Sequence, residues 1–144
     1  MRNPFPMGGD FPFRTINGKT GEASGGTMNV REGDLVRMRV YNASNREHAM
    51  HMHGHDITIV SRNGHLIPKR ARQEITTFNI SSGDFVELEF RARNPGNWIF
   101  HCHVPHHTSN TMLSGYNGSP IGMTRIVHYE GSPAVPPAYF AFAG

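Results

Sequence analysis

Turn-forming residues cut this chain so often that little room remains for a long helix. Asn17-Gly18, Gly25-Gly26, Gly33-Asp34, Asn63-Gly64, Ser82-Gly83-Asp84, Asn94-Pro95-Gly96 and Asn117-Gly118 all read as turns. Short alternating runs lie between them. Leu35 to Tyr41 sets Leu35, Arg37 and Arg39 against Val36, Met38 and Val40. Phe85 to Arg91 places Val86, Leu88 and Phe90 on one face and Glu87, Glu89 and Arg91 on the other. Ile57 to Val60, Ile75 to Ile80, Trp98 to Phe100 and Met123 to Tyr129 read as further strands. No segment sustains a 3.6-residue apolar period. The expected fold is all-β, an antiparallel Greek-key sandwich of about seven or eight strands.

Composition narrows the functional classes. The 144 residues, with 16 Gly and 10 Pro, suit one domain of short strands. The expected layout is an irregular segment over 1–12, the sandwich over 13–130, and a Pro/aromatic-rich tail over 131–144 that lies across a protein surface. A single cysteine excludes an intrachain disulfide and any site needing two thiolates. No apolar run is long enough to span a membrane. The start, Met1-Arg2-Asn3-Pro4-Phe5-Pro6, shows no signal-peptide core. The net charge of +3 is scattered, with only Lys69, Arg70 and Arg72 clustered, so nucleic acid is not an expected partner.

Eight of the ten histidines fall in two windows, His48-Ala49-Met50-His51-Met52-His53-Gly54-His55 and His101-Cys102-His103-Val104-Pro105-His106-His107. Residues two apart on a strand share a face. His51 and His53 therefore project together, as do His101 and His103. Cys102 points the opposite way, into the sandwich with Phe100. Two such windows in one small domain point to metal. One Cys, two His and a weak axial Met form the ligand set of a blue-copper electron-transfer site. His107 and Met112 follow Cys102 at +5 and +10, a spacing that returns three ligands from one loop. The second His must come from another strand, and His48 is the natural candidate. Zinc would use the Cys and His but would leave the placement of Met112 unexplained.

These motifs resemble those of the multicopper oxidases. The second window is similar to the family's His-Cys-His-x3-His-x3-(Gly/Ala)-Met/Leu signature, with Thr111 in place of the usual small residue. The first is similar to His-Pro-x-His-Leu-His-Gly-His, with Ala49 for Pro and Met52 for Leu. Ile16-Asn17-Gly18, Arg31-Glu32-Gly33-Asp34 and Asn94-Pro95-Gly96-Asn97-Trp98 also look like the family's text. The resemblance covers about residues 13–129 and implies a cupredoxin-type sandwich. It implies that His48, Cys102, His107 and axial Met112 hold a type-1 copper, that His51 binds a type-2 copper, and that His53, His101 and His103 bind a type-3 pair. His55 would support the site without binding metal. His106 matches no ligand position, and His65 and His128 read as structural or solvated.

The implied activity is that of a laccase-like oxidase. A reductant gives single electrons to the type-1 copper. Cys102, His101 and His103 relay them to a cluster that reduces dioxygen to water. Phenols, aromatic amines and metal ions are all reductants within the family. Eight histidines bind such a cluster in the family, and this chain supplies four. The missing half would come from a two-fold homo-oligomer of this chain or from a partner cupredoxin domain. The family resemblance places such an enzyme in the periplasm or outside the cell. Two other functions fit part of the pattern. Copper nitrite reductase resembles it but lacks the histidine after Cys, so His103 speaks against it. A non-catalytic electron carrier would need only the type-1 residues.

Overall fold

The computed structural model describes residues 14–19, 26–109 and 122–135. Among these, ten strands follow in order: β1 (Thr27–Val30), β2 (Leu35–Tyr41), β3 (His48–Met52), β4 (Ile57–Arg62), β5 (His65–Leu66), β6 (Glu74–Ile75), β7 (Thr77–Ile80), β8 (Phe85–Arg91), β9 (Asn97–Cys102) and β10 (Thr124–Tyr129). One helical turn, α1 (Pro105–Ser109), follows β9. Period-2 patterning explains the layers. In β8, Val86, Leu88 and Phe90 are buried while Glu87 and Glu89 face out. Across the register, Arg37 meets Glu89 and Arg39 meets Glu87 as ion pairs on the outer face.

One sheet has the order β1-β10-β9-β3-β7 and the other β2-β8-β4-β5, with β6 also on β4. The chain changes sheet repeatedly, from β2 to β3, β3 to β4, β7 to β8 and β8 to β9. This is the crossing pattern of a Greek-key sandwich. The core between the sheets gathers Met50, Met52, Ile57, Phe78, Leu88, Phe100, Val127 and Tyr129.

Four details differ from the sequence expectation. Ten strands form, more than the seven or eight expected. Ile75 to Ile80 is not one strand: β6 pairs with β4, while β7 pairs with β3 in the other sheet. The chain changes sheet at Thr76, so period-2 counting cannot carry through it. β1 pairs with β10 in parallel, whereas the other seven described strand pairs are antiparallel. A parallel pair needs a long crossover, and here almost the whole domain lies between the two strands. Finally, α1 is too short for a 3.6-residue period to show. Pro105 opens it, with a fixed φ suited to a first helical position.

Three of the dispersed methionines, Met50, Met52 and Met123, are buried in the core. Beyond β10, the carbonyl of Pro133 accepts a hydrogen bond from Asn97, turning the chain back onto β9. Residues 1–13 and 136–144 lie outside the described residues.

Candidate metal centre

β3 and β9 are neighbours with Met50 opposite Cys102, His51 opposite His101 and Met52 opposite Phe100. That register divides the two histidine windows by parity. Residues 48, 50 and 52 of β3 face inward with residues 100 and 102 of β9. His51 and His101 face outward, and His53 and His103 leave the strand ends on the same side, both exposed.

On the inner side, His48, Cys102 and His107 converge, all buried. Cys102 Sγ lies 3.7 Å from His48 Nδ1 and 3.6 Å from His107 Nδ1, and the two nitrogens lie 3.1 Å apart. A three-coordinate ion with bonds of about 2.0 Å to nitrogen and 2.3 Å to sulfur separates the sulfur from each nitrogen by about 3.7 Å and the two nitrogens by about 3.5 Å, or less where the angle between them narrows. The donor set therefore fits one ion, and two imidazoles with one thiolate is the trigonal blue-copper set. His107 reaches Cys102 because α1 folds the chain back at once. The Thr108 hydroxyl donates to the Cys102 and Val104 carbonyls, and the Met123 N–H donates to the His107 carbonyl. Met112 lies outside the described residues.

Orientation of His48 comes from a loop the sequence did not single out. His48 Nε2 lies 2.9 Å from Ser44 Oγ, and Ser44 Oγ lies 2.7 Å from Asn42 Oδ1. Buried Asn42 is itself fixed, donating to the Ile80 and Arg46 carbonyls. Nothing in Asn42-Ala43-Ser44 distinguishes it from an ordinary turn, and the folded loop brings Ser44 onto the candidate ligand His48 four residues on.

On the outer side, His51, His53 and His101 offer nitrogens within ligand distance of one another. His53 Nε2 and His101 Nε2 are 3.1 Å apart. The His103 ring lies 5.3 Å from that of His51 and 5.4 Å from that of His101, centre to centre. His101 Nδ1 donates to the Cys102 carbonyl at 2.9 Å. His51 Nδ1 faces the Thr76 carbonyl at 3.0 Å and Thr77 Oγ1 at 2.7 Å. A carbonyl only accepts, so both Nδ1 atoms carry the proton and both Nε2 lone pairs are free for a cation. Burial, reinforced by neighbouring histidines, lowers the pKa of His53 and takes that of His101 down to about 4. Burial also lowers His48 and raises the Cys102 thiol. Burial thus favours the neutral ring at His48, His53 and His101, the form a metal requires.

His55 points away from both groups. Its Nδ1 donates to the His53 carbonyl, and its Nε2 takes the Tyr129 hydroxyl at 2.5 Å. It stacks on the Tyr129 ring and fixes the loop that carries His53. His65 is exposed, and His128 bonds Asn97 Oδ1. The His106 side chain lies outside what is described.

A profile of the multicopper oxidase family matches residues 3–120. The chain belongs to the multicopper oxidases. The metal of that family is copper, and the inner donor set suits it. An iron transport multicopper oxidase of Schizosaccharomyces pombe is 29% identical over 98 residues, 61% of this chain and 16% of that protein. Dihydrogeodin oxidase of Aspergillus terreus is 29% identical over 111 residues, 73% of this chain and 18% of that protein. Among solved structures, a blue copper oxidase from Nitrosomonas europaea superposes with a TM-score of 0.65 at 25% identity, over 80% of this chain and 37% of its own. The sandwich is thus of the cupredoxin type. This chain spans under a fifth of these two sequence relatives, one domain's worth of a multicopper oxidase.

Proposed function

We propose that this chain is the part of a multicopper oxidase that receives single electrons at a buried type-1 copper and passes them to a dioxygen-reducing cluster. One observation carries the reading. Cys102 belongs to the inner donor group and its chain neighbour His101 to the outer one, so a single peptide link joins sites on opposite faces of β9. Copper bound at the two groups supplies one-electron redox chemistry and the four-electron reduction of dioxygen to water.

The residues divide the work. His48, Cys102 and His107 would hold the type-1 copper, with Met112 the further ligand that the sequence signature supplies. His51 is assigned to the type-2 copper, and His53, His101 and His103 to the type-3 pair. The Cys102 thiolate and the peptide links to His101 and His103 form the covalent path between them. The reductant meets the inner end of that path and dioxygen the outer end. A bare electron carrier would have no use for His51, His53 and His101 converging on the far face. The His103 position likewise argues against a nitrite reductase.

The outer group is a half-site and is completed from outside this chain. Presentation of all four histidines on one face favours a second copy related by a two-fold axis. The small share of the relatives that this chain covers favours the other source, a further cupredoxin domain. The enzyme works in the periplasm or outside the cell, and no helix among the described residues is long and apolar enough to cross a membrane.

The double substitution His101→Ala/His103→Ala tests the assignment. Copper-loaded protein should keep its blue colour and lose oxygen consumption with a phenolic or ferrous reductant. Unchanged oxygen consumption would overturn the outer assignment. Cys102→Ser should remove the colour, and retained colour would overturn the inner one.

A further inference from the structure

We infer that Ser44 is a positioning residue for the inner metal site: its hydroxyl oxygen accepts the Nε2 proton of His48 and thereby presents Nδ1 to the metal. This rests on the type-1 reading proposed above.

Ser44 Oγ has one hydrogen and lies within bonding distance of three acceptor-capable atoms. These are Asn42 Oδ1 at 2.7 Å, the Arg46 carbonyl at 3.0 Å and His48 Nε2 at 2.9 Å. The first two can only accept. Asn42 is not free to flip, because its amide nitrogen already donates to the Ile80 and Arg46 carbonyls. The Ser44 hydrogen therefore goes to the shorter acceptor-only contact, and its oxygen faces His48 as an acceptor. Nε2 must carry the imidazole proton. Nδ1 is then the lone-pair nitrogen, and it is the atom that faces Cys102 Sγ and His107 Nδ1.

An acceptor on the far nitrogen fixes ring orientation and raises the basicity of the ligating one. Ser44 and His48 also line the walls of two cavities, of about 570 and 230 Å³. Truncating Ser44 to Ala would thus leave room for a water to take over the hydrogen bond. Val and Thr make the sharper pair, because they share a shape and differ in the hydroxyl.

The test titrates metal-free full-length protein with cupric ion and follows the thiolate-to-copper absorption. Ser44→Val should weaken binding at the inner site by about 10–100-fold, the usual effect of removing such a partner. It should also shift the blue absorption band and raise the reduction potential, since a less basic His48 favours the reduced ion. Ser44→Thr should restore all three to near wild type. Binding and spectrum of Ser44→Val equal to wild type would overturn the role of Ser44 while leaving the copper reading intact. Equal losses in Ser44→Val and Ser44→Thr would overturn it as well, because shape rather than the hydroxyl would then matter. A wild-type chain that never turns blue would overturn both.

Discussion

Burial gives His48, His53 and His101 their acid response. His101 sits at a pKa of about 4, held down first by burial and then by the charges of His53, His51 and His103. An unfolded histidine titrates near 6.5. Between about pH 6.5 and 4 the unfolded chain therefore binds a proton that folded His101 resists, and stability falls as pH falls. His48 and His53 are shifted the same way and add to the slope. Urea unfolding of metal-free protein should show a steady loss from pH 7 to 4.5, and His101→Gln should flatten part of it. A flat wild-type profile across that range would contradict the burial of these rings as neutral groups. At this scale the inward and outward sides of the two histidine windows were legible, because parity on a strand needs only the sequence. The partners Ser44, Thr77 and Tyr129 were not: Thr77 and Tyr129 reach His51 and His55 across the fold, and Ser44, four residues before His48, sits in a turn with no distinguishing signature.

The loop after β3 depends on one close approach. Gly54 has φ +69°, and a Cβ built there would lie 2.3 Å from the indole of Trp98. That indole is anchored by its own N–H to the Asn94 carbonyl, and the Asn94 amide donates to the Gly54 carbonyl. Gly54→Ala should therefore combine a left-handed alanine, about 1–2 kcal/mol, with overpacking of about 1–3 kcal/mol. Denaturant unfolding measures it. In a Trp98→Ala background the packing part should vanish, leaving only the backbone part, so the two changes should be clearly non-additive. Additive effects would place the strain elsewhere. Here too the sequence was readable in part. Alternation placed β2 and β8, because one face of each is wet, and short strand-like runs placed β4 and the middle of β9. The break at Thr76 and the parallel β1–β10 pair were hidden. Both follow from where the chain changes sheets, which is a property of the assembled sandwich rather than of any run of residues.

At the scale of the whole molecule, the two donor groups differ in what surrounds them. His48, Cys102 and His107 are enclosed, and one chain supplies all three donors of that group. His53 and His103 are exposed at the ends of β3 and β9, so the outer group is open on the side away from the sheet. An ion held there by one chain keeps vacant positions, which another set of imidazoles can fill. In a two-fold contact every histidine of the patch meets its own counterpart set, so a single surface supplies both halves. Copper should therefore drive association of this chain. Sedimentation should show metal-free protein as monomer and copper-loaded protein as dimer or a ring of dimers, with more than one copper per chain. His53→Ala/His101→Ala should keep the inner copper and remain monomeric. A wild-type chain that stays monomeric at one copper per chain would exclude self-completion. The second set of histidines would then have to come from another cupredoxin domain.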